Sequence, residues 1–122
     1  MGRFSAPLTV TKIDNDVWMV ETHFTYFTTS GREIIVPRGF ITDFASVPWG
    51  VRNFFPKDYD GTQAAVLHDY LYSKRFKHGI TRKECDDIFL EAMKVLNVGW
   101  LRRQVMHKAV RSAGWAYWNK NS

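Results

Sequence analysis

Residues 61–96 read GTQAAVLHDYLYSKRFKHGITRKECDDIFLEAMKVL, and this stretch decides the fold of the C-terminal half of the chain. Apolar residues recur every three or four positions on both sides of a short polar link, which is the spacing of two amphipathic helices. The first predicted helix runs from about Gly61 to Lys74. The second begins with a capping box at Thr81–Glu84 and runs to about Leu96. The link between them is short, so we expect the two helices to be antiparallel neighbours.

Three ionisable residues on these helices form the candidate chemical centre. His68 lies within the apolar stripe of the first helix, and Asp86 lies inside the apolar face of the second. Asp69 lies beside the first stripe, at its rim. Burial of an unpaired carboxylate is costly, so Asp86 needs a partner, and antiparallel packing of the two faces would bring it against His68.

Two interpretations of this pair stay open. A carboxylate that holds one ring nitrogen of His68 leaves the other nitrogen free to act as a base, which is half of a hydrolytic site with water as the nucleophile. Asp69 would then hold a hard cation that stabilises oxyanion charge. Alternatively, His68 and Asp86, together with Tyr72, form a buried clamp that pins the two helices and the preceding loop.

The N-terminal third of the chain reads as strands. Val, Thr and aromatic residues dominate three runs, and Ser30-Gly31 marks a hairpin turn before the last of them. The residues Trp18, Val20, Phe24 and Tyr26 share one parity and are expected on one face. The three predicted strands are Leu8–Lys12, Asp16–Thr28 and Glu33–Val36.

A long irregular segment, Pro37–Asp60, follows these strands and is rich in aromatic residues, including Trp49, Phe54, Phe55 and Tyr59. A loop of this length is uncommon in a compact domain unless it is functional. The predicted fold is therefore α+β, with residues 1–122 as a single domain. It has an N-terminal antiparallel hairpin or three-stranded meander, a long aromatic-rich loop and three C-terminal helices.

The third predicted helix runs from about Trp100 to Trp118. Its apolar face is expected to pack on the rest of the domain and contains Leu101, Val105, Ala109, Ala113 and Ala116, flanked by Met106, Val110 and Tyr117. The opposite face is a candidate interaction face for a partner protein, a membrane interface or single-stranded nucleic acid, with a plain solvated face as the alternative. Its residues are Arg103, His107, Arg111, Trp115 and Trp118.

Composition, cysteine content and net charge restrict the class of protein and its candidate partners. The chain has 122 residues, 45% of them hydrophobic, which is a globular composition and not a disordered one. Cys85 is the only cysteine, so no disulfide within the chain and no thiolate metal cage is expected. The residues at the N-terminus lack a secretory pattern, and no apolar run approaches the length of a membrane span. The net charge of +5 is compatible with nucleic acid or anionic lipid as a partner.

The motifs Gly39–Pro48, Ala64–Tyr72 and Arg82–Met93 together resemble a family of unknown function that is met in bacteriophages and prophages. The resemblance covers roughly residues 34–114 and implies a phage origin. A protein of this kind is expected in the virion, made in the host bacterial cytoplasm, as a structural or assembly component with other phage proteins as partners. A hydrolase and a nucleic-acid-binding accessory factor remain as alternatives.

A second resemblance concerns mechanism and covers about 35 residues. The pattern His68-Asp69-x-x-Tyr72 followed by Asp86 is similar to the core of calcium-dependent phospholipase A2, above all to the compact form in parvovirus capsids. It implies His68 as the base for water, Asp69 as a calcium ligand, and Tyr72 and Asp86 as supports of the histidine. The glycine-rich calcium loop of those enzymes is absent here; Asp43 stands in that part of the chain as a substitute ligand.

Overall fold

The computed structural model describes residues 2–15, 17–44, 46, 61–73 and 79–121. Most of the predicted aromatic-rich loop, including Trp49, Phe54, Phe55 and Tyr59, lies outside the described residues. So do the predicted end of the first helix at Lys74 and most of the link that follows it.

The N-terminal part forms two small antiparallel sheets, each of three strands among the described residues. One sheet has the order β1-β4-β5 and the other the order β2-β3-β6. The predicted run from Asp16 to Thr28 is therefore two strands. They join different sheets, and residues 21–23 connect them. The strands are β1 Arg3–Phe4, β2 Val10–Asp14, β3 Val17–Val20, β4 Phe24–Phe27, β5 Glu33–Val36 and β6 Ile41–Thr42.

The predicted hairpin turn is present between β4 and β5. Gly31 has a φ of +93°, a left-handed conformation that glycine adopts without a steric penalty. The N–H of Gly31 donates to the carbonyl of Thr28, and the N–H of Thr28 donates to the carbonyl of Arg32. The two strands pair in register from Phe24 with Val36 to Phe27 with Glu33.

The inward faces of the strands follow the predicted alternation. Val20, Phe24 and Tyr26 are fully buried, and Trp18 is half-buried. The hydroxyl of Tyr26 donates to Oε1 of Glu91, 2.6 Å away, so that the first sheet is tied to a helix. Together with the helices these elements confirm the predicted α+β fold.

The C-terminal part is helical: α1 is Thr62–Tyr72, α2 is Arg82–Val95, α3 is Trp100–Ala113 and α4 is Trp115–Asn121. The capping box at the start of α2 is formed as predicted. The single third helix that we predicted is divided at Gly114. A Cβ at that position would lie 2.9 Å from the hydroxyl oxygen of Tyr72, so glycine allows the end of α3 to approach α1 closely.

Helix α1 is the central element of this half. Every residue from Gln63 to Tyr72 is buried. The helix packs against α2, α4 and β6, while α3 packs on α2. An all-round burial of this kind explains why two charged or polar residues of α1, His68 and Asp69, are both inside the protein.

The packed face of α3 differs from the predicted one. Leu101 and Val105 are exposed, whereas Met106 and Val110 are buried. In the observed orientation Met106 and Val110 enter the core, and Arg111 and His107 bond to carboxylates of α2. Among the described residues no helix is long and apolar enough to cross a membrane.

Candidate functional site

The predicted pairing of His68 with Asp86 is present between α1 and α2. Nε2 of His68 lies 2.7 Å from Oδ1 of Asp86, and both side chains are 0% exposed. The imidazole ring also packs against the rings of Tyr72 and Phe89, with centroids 4.3 and 4.7 Å away. Because the partner of Nε2 is a carboxylate, Nε2 carries a proton and donates it.

Asp86 is the centre of the polar contacts. Its Oδ1 also accepts a hydrogen bond of 2.5 Å from the hydroxyl of Tyr72, and its Oδ2 accepts one of 2.8 Å from the Arg111 guanidinium. A second guanidinium, that of Arg82, lies 3.5 Å from Oδ2. Burial opposes the ionised form of Asp86, but the hydrogen bonds and charge of these neighbours outweigh it and hold its pKa below the usual range.

Arg82 joins α2 to the end of α3 as well. Its guanidinium donates to the carbonyl oxygens of Val110 and Arg111 at 3.0 and 3.1 Å. These carbonyls lie in the last turn of α3, and that of Val110 also accepts a hydrogen bond from the backbone N–H of Gly114. One arginine thus contacts Asp86 and caps the helix that supplies Arg111.

Asp69 is not at a rim, as we predicted, but is buried, with 2% of its surface exposed. Its Oδ2 accepts a hydrogen bond of 2.7 Å from the hydroxyl of Thr42, and its Oδ1 accepts one of 3.1 Å from the backbone N–H of Ser46. The prediction failed because Thr42 of β6 and the backbone of Ser46 lie against this part of α1. Burial raises the pKa of Asp69 despite these hydrogen bonds, and the negative charge of Asp43 adds to the rise.

Ser46 links the two parts of this network. Its Oγ lies 3.0 Å from Nδ1 of His68, on the side of the ring opposite Asp86. The result is a continuous series of polar contacts from Asp69 through Ser46 and His68 to Asp86. We call this series, with Thr42, Tyr72, Arg82 and Arg111, the polar cluster.

The order hydroxyl, imidazole, carboxylate in this cluster is the order found in hydrolases that use a serine nucleophile. Such chemistry requires the serine oxygen to reach a substrate. Ser46 is 1% exposed, so the described arrangement positions the three groups for mutual hydrogen bonding rather than for contact with a ligand.

Sequence reasoning missed Thr42, Ser46 and Arg82. Thr42 ends β6 and Ser46 follows it, and no helical periodicity connects either residue to α1. Arg82 had a usable signal, because it is four residues before Asp86 and therefore on the same helix face.

The predicted interaction face of the third helix is mostly turned inward. Arg111 bonds to Asp86, His107 lies 3.1 Å from Oδ1 of Asp87, and Arg103 donates to the carbonyl of Val98. Trp118 packs edge-on against Tyr72, with ring centroids 5.1 Å apart. Of the five residues, Trp115 is exposed. Their role in binding a partner stays a prediction.

The calcium site also stays a prediction. Both carboxylate oxygens of Asp69 accept hydrogen bonds from the protein, and Asp43 is exposed. No group of three or more His, Cys, Asp or Glu side chains that could hold a metal ion is found within the described ranges.

One family model covers the positions of most residues of the polar cluster. The family model described as a protein of unknown function (DUF1353) matches residues 18–110. The matched range contains Thr42, Ser46, His68 and Asp86 and ends one residue before Arg111. No curated protein and no solved structure gives a significant match.

Proposed function

The chain belongs to the DUF1353 family, whose function is unknown, and we propose that it is a phage-encoded structural or assembly protein of the virion. In this proposal the polar cluster is a clamp that holds the helices and the segment after β6 together. The phage origin rests on the motif resemblance, and the structural role rests on the geometry of the cluster.

One observation carries the structural role. His68 is fully buried, and both of its ring nitrogens are engaged, one by Ser46 and the other by Asp86. A histidine that activates water must have a free nitrogen within reach of that water molecule. A histidine with both nitrogens bonded to the protein instead fixes the position of the elements that supply its partners.

The clamp joins segments that are far apart in the sequence. Thr42 comes from the end of β6 and Ser46 from just after it, whereas His68 comes from α1, Asp86 from α2 and Arg111 from α3. These contacts define one relative placement of four segments. A component of an assembly benefits from such a placement, because its contacts with neighbours depend on a fixed surface.

The virion role is tested on particles of the phage that encodes the chain. Particles are purified by density-gradient centrifugation, and the protein is measured by mass spectrometry alongside the major capsid protein and a host cytoplasmic protein as the contamination control. We expect the protein to co-purify with particles or with an assembly intermediate at a constant ratio to capsid protein. Recovery no higher than that of the host protein would overturn the proposal.

A second candidate function, an ester hydrolase, is favoured by the 3.0 Å contact between Ser46 Oγ and Nδ1 of His68. We predicted a phospholipase-like enzyme with water as the nucleophile; here the serine hydroxyl lies where that water would be. Ser46 Oγ would attack the ester carbonyl carbon and pass its proton to His68, while Asp86 stabilises the imidazolium. The imidazolium would return the proton to the leaving alkoxide, and water would then hydrolyse the acyl-serine.

The hydrolase candidate is tested with a fluorophosphonate probe, which reacts covalently with activated serines. Labelling of the wild-type protein that disappears in Ser46→Ala, with esterase activity lost in parallel, would favour the enzyme over the clamp. Absence of labelling, together with reduced thermal stability of Ser46→Ala, is the result expected from the clamp. Ser30→Ala is the matched control, since Ser30 is an exposed serine in a turn.

A further inference from the structure

The outward side of α3 presents apolar side chains to solvent. Leu101 is 69% exposed, and Trp100 and Val105 are also exposed. Leu101 and Val105 are four residues apart, so they share one face of the helix. We call these two residues the outer stripe.

Basic residues border the outer stripe on both sides. With 3.6 residues per turn, Lys108 falls on one side of it and Arg102 on the other, and both are exposed. Trp115 follows Lys108 by seven residues and lies near the same side, because Gly114 keeps helical dihedral angles of −67° and −17°. Trp115 is exposed as well.

The net charge of the chain is concentrated at this end. Residues 100–122 contain five of the 17 Lys and Arg residues and none of the 12 Asp and Glu residues. The 12 basic and 12 acidic residues that remain are balanced, so this segment carries the whole formal charge of +5. Arg103 and Arg111 are turned inward, whereas Arg102 and Lys108 face solvent. An anionic partner complements this surface, and a second copy of it is repelled.

We propose that the outer stripe with Arg102 and Lys108 docks on an anionic membrane surface. The stripe enters the boundary between headgroups and acyl chains, and the two basic side chains contact lipid phosphates. Trp100 and Trp115 lie at headgroup level, where tryptophan is enriched in membrane proteins. A nucleic-acid site would place cations and stacking aromatic rings at its centre, whereas aliphatic side chains occupy the centre here.

The test uses the full chain and vesicles of phosphatidylcholine with and without phosphatidylglycerol. We expect co-sedimentation with the anionic vesicles alone, and release at high salt. The pair Leu101→Ser and Val105→Ser lowers the partition coefficient at least about tenfold, because the apolar anchor is removed. The pair Arg102→Gln and Lys108→Gln lowers it about tenfold and weakens the salt dependence.

Ile35→Ser is the matched control. Ile35 is 55% exposed on β5, so its replacement removes a similar exposed apolar side chain from a different surface. We expect this variant to bind vesicles as the wild type does. The melting temperatures of all variants are measured as a control for folding. We expect them to be unchanged, because the replaced side chains are exposed.

Three results would overturn the proposal. The first is equal binding to neutral and anionic vesicles, or no binding to either. The second combines two observations: the Leu101→Ser and Val105→Ser pair leaves the partition coefficient unchanged, and the protein binds a single-stranded oligonucleotide through Arg102 and Lys108. That result would assign the surface to nucleic acid. The third is a dimer in analytical ultracentrifugation that the same serine pair dissociates.

Discussion

His68→Ala tests the clamp most directly, because it removes the group that joins Ser46 to Asp86. The hydrogen bond to the ionised Asp86 contributes about 2 kcal/mol and the bond with Ser46 about 1 kcal/mol. The ring also packs against Tyr72 and Phe89, and the cavity left by its removal adds about 2 kcal/mol. We expect the free energy of unfolding to fall by about 5 kcal/mol.

The assay is urea unfolding followed by circular dichroism, with a thermal melt beside it. For a chain of this length the expected loss corresponds to a fall in melting temperature of roughly 15–25 °C. His107→Ala is the matched control. His107 also lies on a helix next to an aspartate, but Asp87 is 44% exposed, so we expect a loss below about 1 kcal/mol. A loss for His68→Ala no larger than that of the control would refute the clamp.

Four further outcomes are expected. Burial raises the pKa of Asp69, so the free energy of unfolding falls as pH rises from about 4 towards the raised value, and Asp69→Asn should remove this slope in urea unfolding. The pKa of Asp86 is lowered in the folded protein, so the stabilisation that its ionised form provides is lost as pH falls below about 4. This part of the pH dependence of the free energy of unfolding should persist in Asp69→Asn. Arg111→Gln should lower the free energy of unfolding by about 1 to 2 kcal/mol in the same assay. Arg102→Gln, on the exposed side of the same helix, should lower it by less than about 0.5 kcal/mol. Equal losses in the two variants would contradict the contact of Arg111 with Asp86. Gly114→Ala should lower the melting temperature, because a methyl group would lie 2.9 Å from the tyrosine hydroxyl that donates to Asp86, and an unchanged melting temperature would show that this close approach costs nothing.

The central pair of the site was predictable from the sequence for a simple physical reason. His68 and Asp86 occupy apolar positions in two helices joined by a short link, and a buried carboxylate needs a partner. Periodicity and the cost of burial therefore predict the contact without any knowledge of the fold. The capping box at Thr81 was predictable for a similar reason, since its two hydrogen bonds lie within four residues.

The rest of the site depends on packing between distant segments. Nothing in the local pattern around Ser46 indicates that its backbone N–H and hydroxyl meet Asp69 and His68. The rotation of α3 was mispredicted because apolar periodicity favoured burial of Leu101 and Val105. The observed rotation instead buries Met106 and Val110 and brings Arg111 and His107 to carboxylates of α2.

The contacts of Asp86 join residues of three helices, and this has a consequence for the kinetics of folding and unfolding. Its partners His68 and Arg111 are 18 and 25 residues away in the sequence, so the first contact needs α1 docked on α2 and the second needs α3 docked on α2. We expect the contact with Arg111, which has the longer sequence separation, to form late in folding. Contacts that form after the rate-limiting step of folding act on the rate of unfolding and hardly on the rate of folding. Loss of the Arg111 contact should therefore shorten the lifetime of the native state while refolding proceeds at its usual speed. For the virion role that we propose, that lifetime matters more than the equilibrium stability in solution.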